Sequence, residues 1–474
     1  MRAIRVLALL AIFAPVAVCA EESPQTVQPS QPERLLRRSG LGDAGAVPYK
    51  IEEVPLGPVP SGVVEAATST DGCHMAFVVA KGDKGFVVID GHAGPEYDGI
   101  GKGSLAFSPE GKRVAYVAGK GGKQFAVIDG QEGKAYDGIV GITPVFSPDG
   151  KRVAYVAGKG DKRFVVLDGQ EGTEYDGIAG LLFSPDGKRM AYVAGKGDKR
   201  FVVLEGQEGT AYDGIAGLLF SPDGKQVAYE AKKGDKRVVV IGSQVGPECD
   251  GILKGSLVFR QDGQRVAYGA KKGDKWFVVI DGQAGPEYDG IGDGSLILSP
   301  EGKRVAYVAG KGGKQLVVID GQEGPAYDGT AGLVLSPDGK RVAYAARKGD
   351  KWCVIIDGQA GTEYQGVTGV VFSPDGKRVA YGAKKGGRWF VVLDGQAGPA
   401  YDGIAGLVFS PNGERVAYEA KKGDRWVVVI GGQVGPEYDG FPQGGPVFRP
   451  DGTLEYLAGK AGTLFRVKHV PVEK

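Results

Sequence analysis

The chain is poor in the residues that most chemistry relies on, with three histidines, four cysteines, three methionines and four tryptophans in 474 residues. The histidines, His74, His92 and His469, stand far apart, and His92 only replaces the Gln of a D-G-Q turn. No H-E-x-x-H, G-x-S-x-G, Walker loop or C-x-x-C is present. Zincin, hydrolase-elbow, nucleotide-loop and redox-motif chemistry are therefore unsupported, no cofactor is implied, and the chain is expected not to be an enzyme. Cys73, Cys249 and Cys353 occupy three different places of a repeat described below, which is not how a disulfide framework is laid out. Excess charge is also missing, since 58 Lys and Arg meet 57 Asp and Glu, so nothing overall argues for nucleic acid. Helical periodicity is absent too, because Gly, Pro and β-branched residues interrupt the chain too often for long helices.

The longest apolar run, Val6 to Ala20, follows Arg2 and Arg5 and is shorter than the roughly eighteen apolar residues of a membrane span. It reads as a secretory signal over residues 1–20, cleaved after Val18-Cys19-Ala20, and no stable membrane span is expected. Lipid attachment at Cys19 fits poorly because bulky Val18 precedes it. Residues 21–47, rich in Pro, Gln and Ser, read as a flexible leader. The protein is accordingly expected in a periplasm or outside the cell.

What is abundant is glycine, 82 residues, without a Gly-X-Y period. The glycine of an x-D-G or x-E-G turn, with Asn412 in place of the acid once, recurs at 72, 111, 150, 187, 224, 263, 302, 339, 376, 413 and 452, at intervals of 39 or 37 residues. These are eleven units of one length class with no room for a linker. A unit of ~38 residues is too small to be stable without disulfides or a metal. The units must bury surface against one another.

Within residues 146–178, FSPDGKRVAYVAGKGDKRFVVLDGQEGTEYDGI, three turn signatures separate four short apolar or β-branched segments. The middle two, RVAYVA and FVVLD, do not alternate, as in strands buried on both faces. Tandem four-stranded antiparallel sheets of this size are the blades of a β-propeller, so the expected fold is all-β with about eleven blades over residues 48–474. The motif F-S-P-D-G-K-R-V-A-Y, recurring with variants over residues 63–470, resembles the WD40-like (PD40) repeat of bacterial TolB-type propellers. That resemblance implies an exported, non-catalytic propeller that binds other molecules. The chain departs from TolB in lacking a recognisable preceding α/β domain, so the partners of TolB are not implied.

Nineteen of the 20 tyrosines fall in two repeat slots, V-A-Y and Y-D-G, with Cys249 standing in once for the second. The remaining one is Tyr49, and the last unit ends after its third strand. The segment PYKIEEV around Tyr49 is expected to supply the missing strand and clasp the ring, removing exposed sheet edges. Sheets packed ~10 Å apart would set eleven blades around a channel roughly 35 Å wide between inner strands. A single wide toroid is preferred, and two smaller rings of five and six blades remain the alternative.

Function must then lie on the surface. The turn between the second and third strands is lysine-rich in nearly every unit, Lys233 and Lys272 among them, whereas S-P-D-G and D-G-Q-E-G put carboxylates at the other end. This suggests a two-faced molecule, although solvated turns would give the same pattern. Just before the F-V-V segment one slot varies: Gly85, Gln124, Arg163, Arg200, Arg237, Trp276, Gln315, Trp352, Trp389, Trp426 and Leu464. It holds all four tryptophans, and Trp and Arg are enriched at binding hot spots. Arg163, Arg200, Arg237, Trp276, Trp352, Trp389, Trp426, Lys233 and Lys272 are the candidate contact residues, for a protein or an anionic extracellular polymer. Covering the seam between blades is the competing role. A propeller enzyme with an unrecognised channel site is the alternative function, and the chain is expected to be a monomer.

Overall fold

A computed structural model describes residues 49–472, except 71–73, 262, 264–265 and 443–444. The proposed signal, the leader, Cys19 and Cys73 lie outside the described residues. Among the described residues all regular structure is β, arranged as eleven antiparallel sheets. Blade four shows the pattern. Its strands are Gly177–Phe183, Met190–Lys196, Lys199–Leu204 and Gln207–Glu208, the last prolonged by a backbone bridge between Arg200 and Tyr212.

Turn chemistry sets these boundaries. In S-P-D-G the Ser184 hydroxyl donates to Asp186 at 2.6 Å and accepts from the Arg189 N–H at 2.9 Å, and Ser184 is fully buried. The next reversal but one places Glu205 at φ 51° and Gly206 at φ 82°, the left-handed pair of a type I′ hairpin. Asp168 does the same in blade three at φ 50°, with its carboxylate accepting from the Val153 N–H at 2.8 Å. Asp tolerates that backbone and Gly does so freely, which is why Gly242 and Gly431 can replace it in blades five and ten. The carboxylates of these turns are therefore occupied in holding backbone.

The first strand bulges between Ala179 and Leu182, where Gly180 takes φ 61°, and Ala179 and Gly180 are exposed. Neighbouring blades come close together at their first strands, which line the inside of the ring. In blades two, six and seven a short insertion splits that strand, as into Gly99–Ile100 and Ala106–Phe107. The longer repeat interval thus adds residues at the channel wall.

The apolar clusters lie between blades. One joins Ala76, Val78 and Tyr97 of blade one to Val114, Tyr116 and Phe125 of blade two. Another joins Val239 and Cys249 of blade five to Val266 and Tyr268 of blade six. A third joins Met75, Phe77 and Val88 of blade one to Leu457 and Leu464 of blade eleven. A split into rings of five and six would close blade five onto blade one, so the observed seams exclude it. The molecule is one ring of eleven blades.

Blade eleven is composite. Val447–Phe448, Leu454–Lys460 and Thr463–Pro471 are joined by Tyr49–Pro58, which pairs antiparallel with Thr463–Pro471 from Tyr49 opposite Pro471 to Pro58 opposite Thr463. Two side chains fasten this strand to blade ten and its connection. The Tyr49 hydroxyl accepts from Arg415 at 2.6 Å, and Glu53 accepts from the Tyr438 hydroxyl at 2.5 Å. Leu56 packs into the seam with blade one. Removing residues 49–58 should lower the melting temperature by at least about 5 °C, since it exposes a strand edge and opens two seams. An unchanged melt by circular dichroism would show that the clasp carries no stability.

Candidate functional site

The lysine turns of all blades lie at one end of the ring because every second strand runs antiparallel to its third. Their charge is largely paired. Asp176 of the blade-three Y-D-G accepts from Lys162 of its own blade at 2.7 Å and from the Gly197 N–H of the blade-four lysine turn at 2.7 Å. Asp98, Asp137, Asp213, Asp250, Asp289, Asp328 and Asp402 repeat the clip, and each ties one blade to the next. The expectation of a lysine face opposed to a carboxylate face is therefore refined: the Y-D-G carboxylates stand among the lysines. At the other end arginine does the equivalent work. Arg189 pairs with Glu205 at 3.0 Å and donates to the carbonyls of Gly224 and Lys225 in the next blade at 3.1 and 2.8 Å.

Blade eight breaks the rule. Gln365 replaces the clip aspartate, and Lys351 has no carboxylate partner among the described residues. Arg347, Lys348, Lys384 and Lys385 likewise lack an ion-pair partner among the described residues, so uncompensated positive charge gathers at the lysine-turn end of blades eight and nine, where Arg388 keeps its clip to Asp402 at 2.8 Å.

The variable slot is the second residue of each third strand, and all seven of its Arg and Trp side chains are half-buried. The guanidinium of Arg163 folds over Gly158, where a Cβ would sit 2.9 Å away, and donates to the carbonyls of Gly160 at 3.0 Å and Lys162 at 2.8 Å. Arg200 repeats this over Gly195. Arg237 instead forms an ion pair with Glu230. The tryptophans each carry a cation from the facing strand: Lys271 over Trp276 at 5.8 Å, Arg347 over Trp352 at 5.9 Å, Lys384 over Trp389 at 5.7 Å and Lys421 over Trp426 at 6.0 Å. Trp276 also packs on the seam cluster between blades six and seven. Lys233 and Lys272 are exposed.

The structure thus separates the candidates into two groups. Arg163, Arg200 and Arg237 have donors engaged within their own hairpins, whereas the four Trp–cation pairs keep partly open faces beside the unpaired lysines. Arg347, Lys384 and Lys421 were not among the residues singled out from sequence. The signal was there: the residue opposite the slot is Gly where the slot is Arg163 or Arg200, and Lys or Arg wherever it is Trp. Only the cross-strand register turns that into a contact.

Glu419 shares its slot with Glu230 of blade five but has, among the described residues, no ion pair such as Glu230 makes with Arg237. Glu419, 9% exposed, sits against Gly406 of the first strand of blade ten and Gly445, which precedes that of blade eleven, and burial pushes its carboxyl up to about 7. Among the described residues no group of three or more His, Cys, Asp or Glu is placed to hold a metal ion, and no helix is long and apolar enough to cross a membrane.

The fold defines an eleven-bladed β-propeller. No protein-family model matches the sequence, and no curated protein matches it. Similar solved structures include a eukaryotic initiation factor (15% identity, 69% of this chain and 96% of that chain, TM-score 0.39). TolB from Acinetobacter baumannii aligns at 17% identity over 63% of this chain and 80% of that one, TM-score 0.26. The β-propeller domain of the Trilobed protease from Pyrococcus furiosus aligns at 14% identity over 55% and 94%, TM-score 0.28.

The clip aspartates generate a pH dependence. Asp176, Asp213 and Asp250 are held below the usual carboxylate range, first by the hydrogen bond from their lysine and then by the turn N–H. Their contribution is thus present above the unfolded-state value near 4 and is lost as pH falls below it toward the lower folded value. Melting temperature should hold down to about pH 5 and fall below about pH 4. Changing all three to Asn should flatten part of that acid limb, and an identical limb would mean the clips are energetically silent.

Proposed function

We propose that this chain is an exported, non-catalytic binding scaffold whose lysine-turn end, over blades six to ten, takes an anionic protein or extracellular polymer. The observation that carries this reading is the coincidence, in blades eight and nine, of Trp–cation pairs with the place where a clip aspartate is lost. A half-buried indole with a cation on its face offers a flat apolar surface rimmed by positive charge. Such a surface suits sugar rings or peptide segments that carry carboxylate or sulfate groups. Repetition around the ring adds multivalency, so that weak contacts made by single blades combine along an extended partner. The apolar run ending at Ala20 supports export, and the turn aspartates, committed to backbone, support a non-catalytic role.

Heparin-agarose is a suitable polyanion probe. The protein should be retained at low ionic strength and released as salt approaches roughly physiological strength, where screening shortens to about 8 Å. The threefold variant Lys348→Glu, Lys351→Glu, Lys385→Glu should elute markedly earlier. Wild-type flow-through, or coincident elution of the two, would overturn the reading. Changing Trp352, Trp389 and Trp426 together to Ala should weaken retention at least about tenfold, roughly 1.4 kcal/mol, while the far-ultraviolet spectrum stays unchanged. Collapse of the spectrum would instead assign the indoles to the seams.

A further inference from the structure

In nine seams the tyrosine of Y-D-G meets the V-A-Y tyrosine of the next blade edge to face, with ring centroids 6.0–6.4 Å apart. In three of these seams a Phe in the third strand of the next blade makes a second edge contact, Tyr97–Phe125 at 5.6 Å, Tyr136–Phe164 at 5.5 Å and Tyr175–Phe201 at 5.7 Å. A lysine from the turn can cap the same ring, as Lys196 does over Tyr175 at 5.5 Å. Tyrosine, phenylalanine and lysine thus form a cradle for one phenol ring, and the chain normally fills it.

Between blades five and six it does not. Cys249 replaces the tyrosine, while Tyr268, Phe277 and Lys272 keep the three cradle positions. A cavity of about 270 Å³ opens there, floored by Cys249, Tyr268 and Phe277, with Lys272, Glu248 and Glu287 exposed at its mouth. Tyr268 is 2% exposed, and among the described residues its hydroxyl has no hydrogen-bond partner. The Cys249 thiol turns away to the Arg237 carbonyl at 3.2 Å.

We propose that this seam is a binding site for a small phenol, whose ring takes the place of the missing tyrosine against Tyr268 and Phe277 beneath Lys272, and whose hydroxyl bonds that of Tyr268. Apolar cavities of comparable or smaller size bind single aromatic rings. Binding is non-covalent, because burial pushes the Cys249 thiol up to about 11 and leaves it protonated at neutral pH. The site shares Lys272 with the lysine-turn end but lies within a seam and needs no anionic partner.

Titration of the full chain with 4-methylphenol should give saturable one-to-one binding, with cyclohexanol, which lacks the aromatic face, at least about tenfold weaker. Cys249→Tyr restores the ring found in the other seams and should abolish binding. Absence of saturation, equal binding of cyclohexanol, or undiminished binding by a folded Cys249→Tyr protein would each overturn the site. A second measurement does not depend on that variant folding. At pH 9, 4-methylphenol should slow modification of Cys249 by methyl methanethiosulfonate at least threefold, read by peptide mass spectrometry, and leave Cys353 unaffected. Equal rates with and without the phenol would likewise overturn it.

Discussion

Everything in this molecule follows from one constraint: a blade is a thin sheet with two apolar faces, and only another blade can cover them. Ala154, Val165 and Tyr175 of blade three are buried in a seam cluster completed by Phe183, Tyr192, Phe201 and Val203 of blade four. The edge-to-face tyrosine pair is the repeated form of that contact, worth about 0.5–1.5 kcal/mol beyond the area it covers. No blade can be removed without uncovering two others, so the ring must close.

Closure requires registration as well as burial, and polar clips at the two ends supply it. Aspartate joins a lysine of one blade to the turn N–H of the next at one end, and arginine reaches the following turn's carbonyls at the other. At the final seam the repeat is replaced by a chain terminus. Arg415, which by the repeat pattern would reach the next turn, donates instead to Tyr49, and Tyr438 finds Glu53. The clasp therefore adapts existing repeat positions.

Repetition also sorts structural from functional residues. The S-P-D-G and D-G-Q carboxylates accept from backbone N–H groups of their own blades. The departures are where binding can arise: indoles in the third-strand slot, Gln365 in place of a clip aspartate, and Cys249 in place of a seam tyrosine. A departure in a repeat protein acts against a background of neighbours that retain the original contact. What the neighbours do with a tyrosine shows what the cavity at Cys249 lacks.

How much was legible beforehand differs by level. Strand and turn boundaries are local, fixed by the φ preferences of Pro, Asp and Gly, and the spacing of turns made the blade count readable along 474 residues. The unmatched Tyr49 even marked where the last strand comes from. Contacts between blades were not legible, because they depend on which side chain faces which across a seam or a strand pair. The sharing of Asp176 between blades and the cavity beside Tyr268 join residues whose spacing in sequence carries no signal of contact, and the cation matched to each tryptophan becomes a contact only through strand register. Sequence by itself determined the repeat, the turns and the need for neighbours, since these rest on backbone preference and apolar content. Tertiary structure alone decided that there is one ring, which charges remain unpaired and where an aromatic ring is missing, since those are properties of packed surfaces.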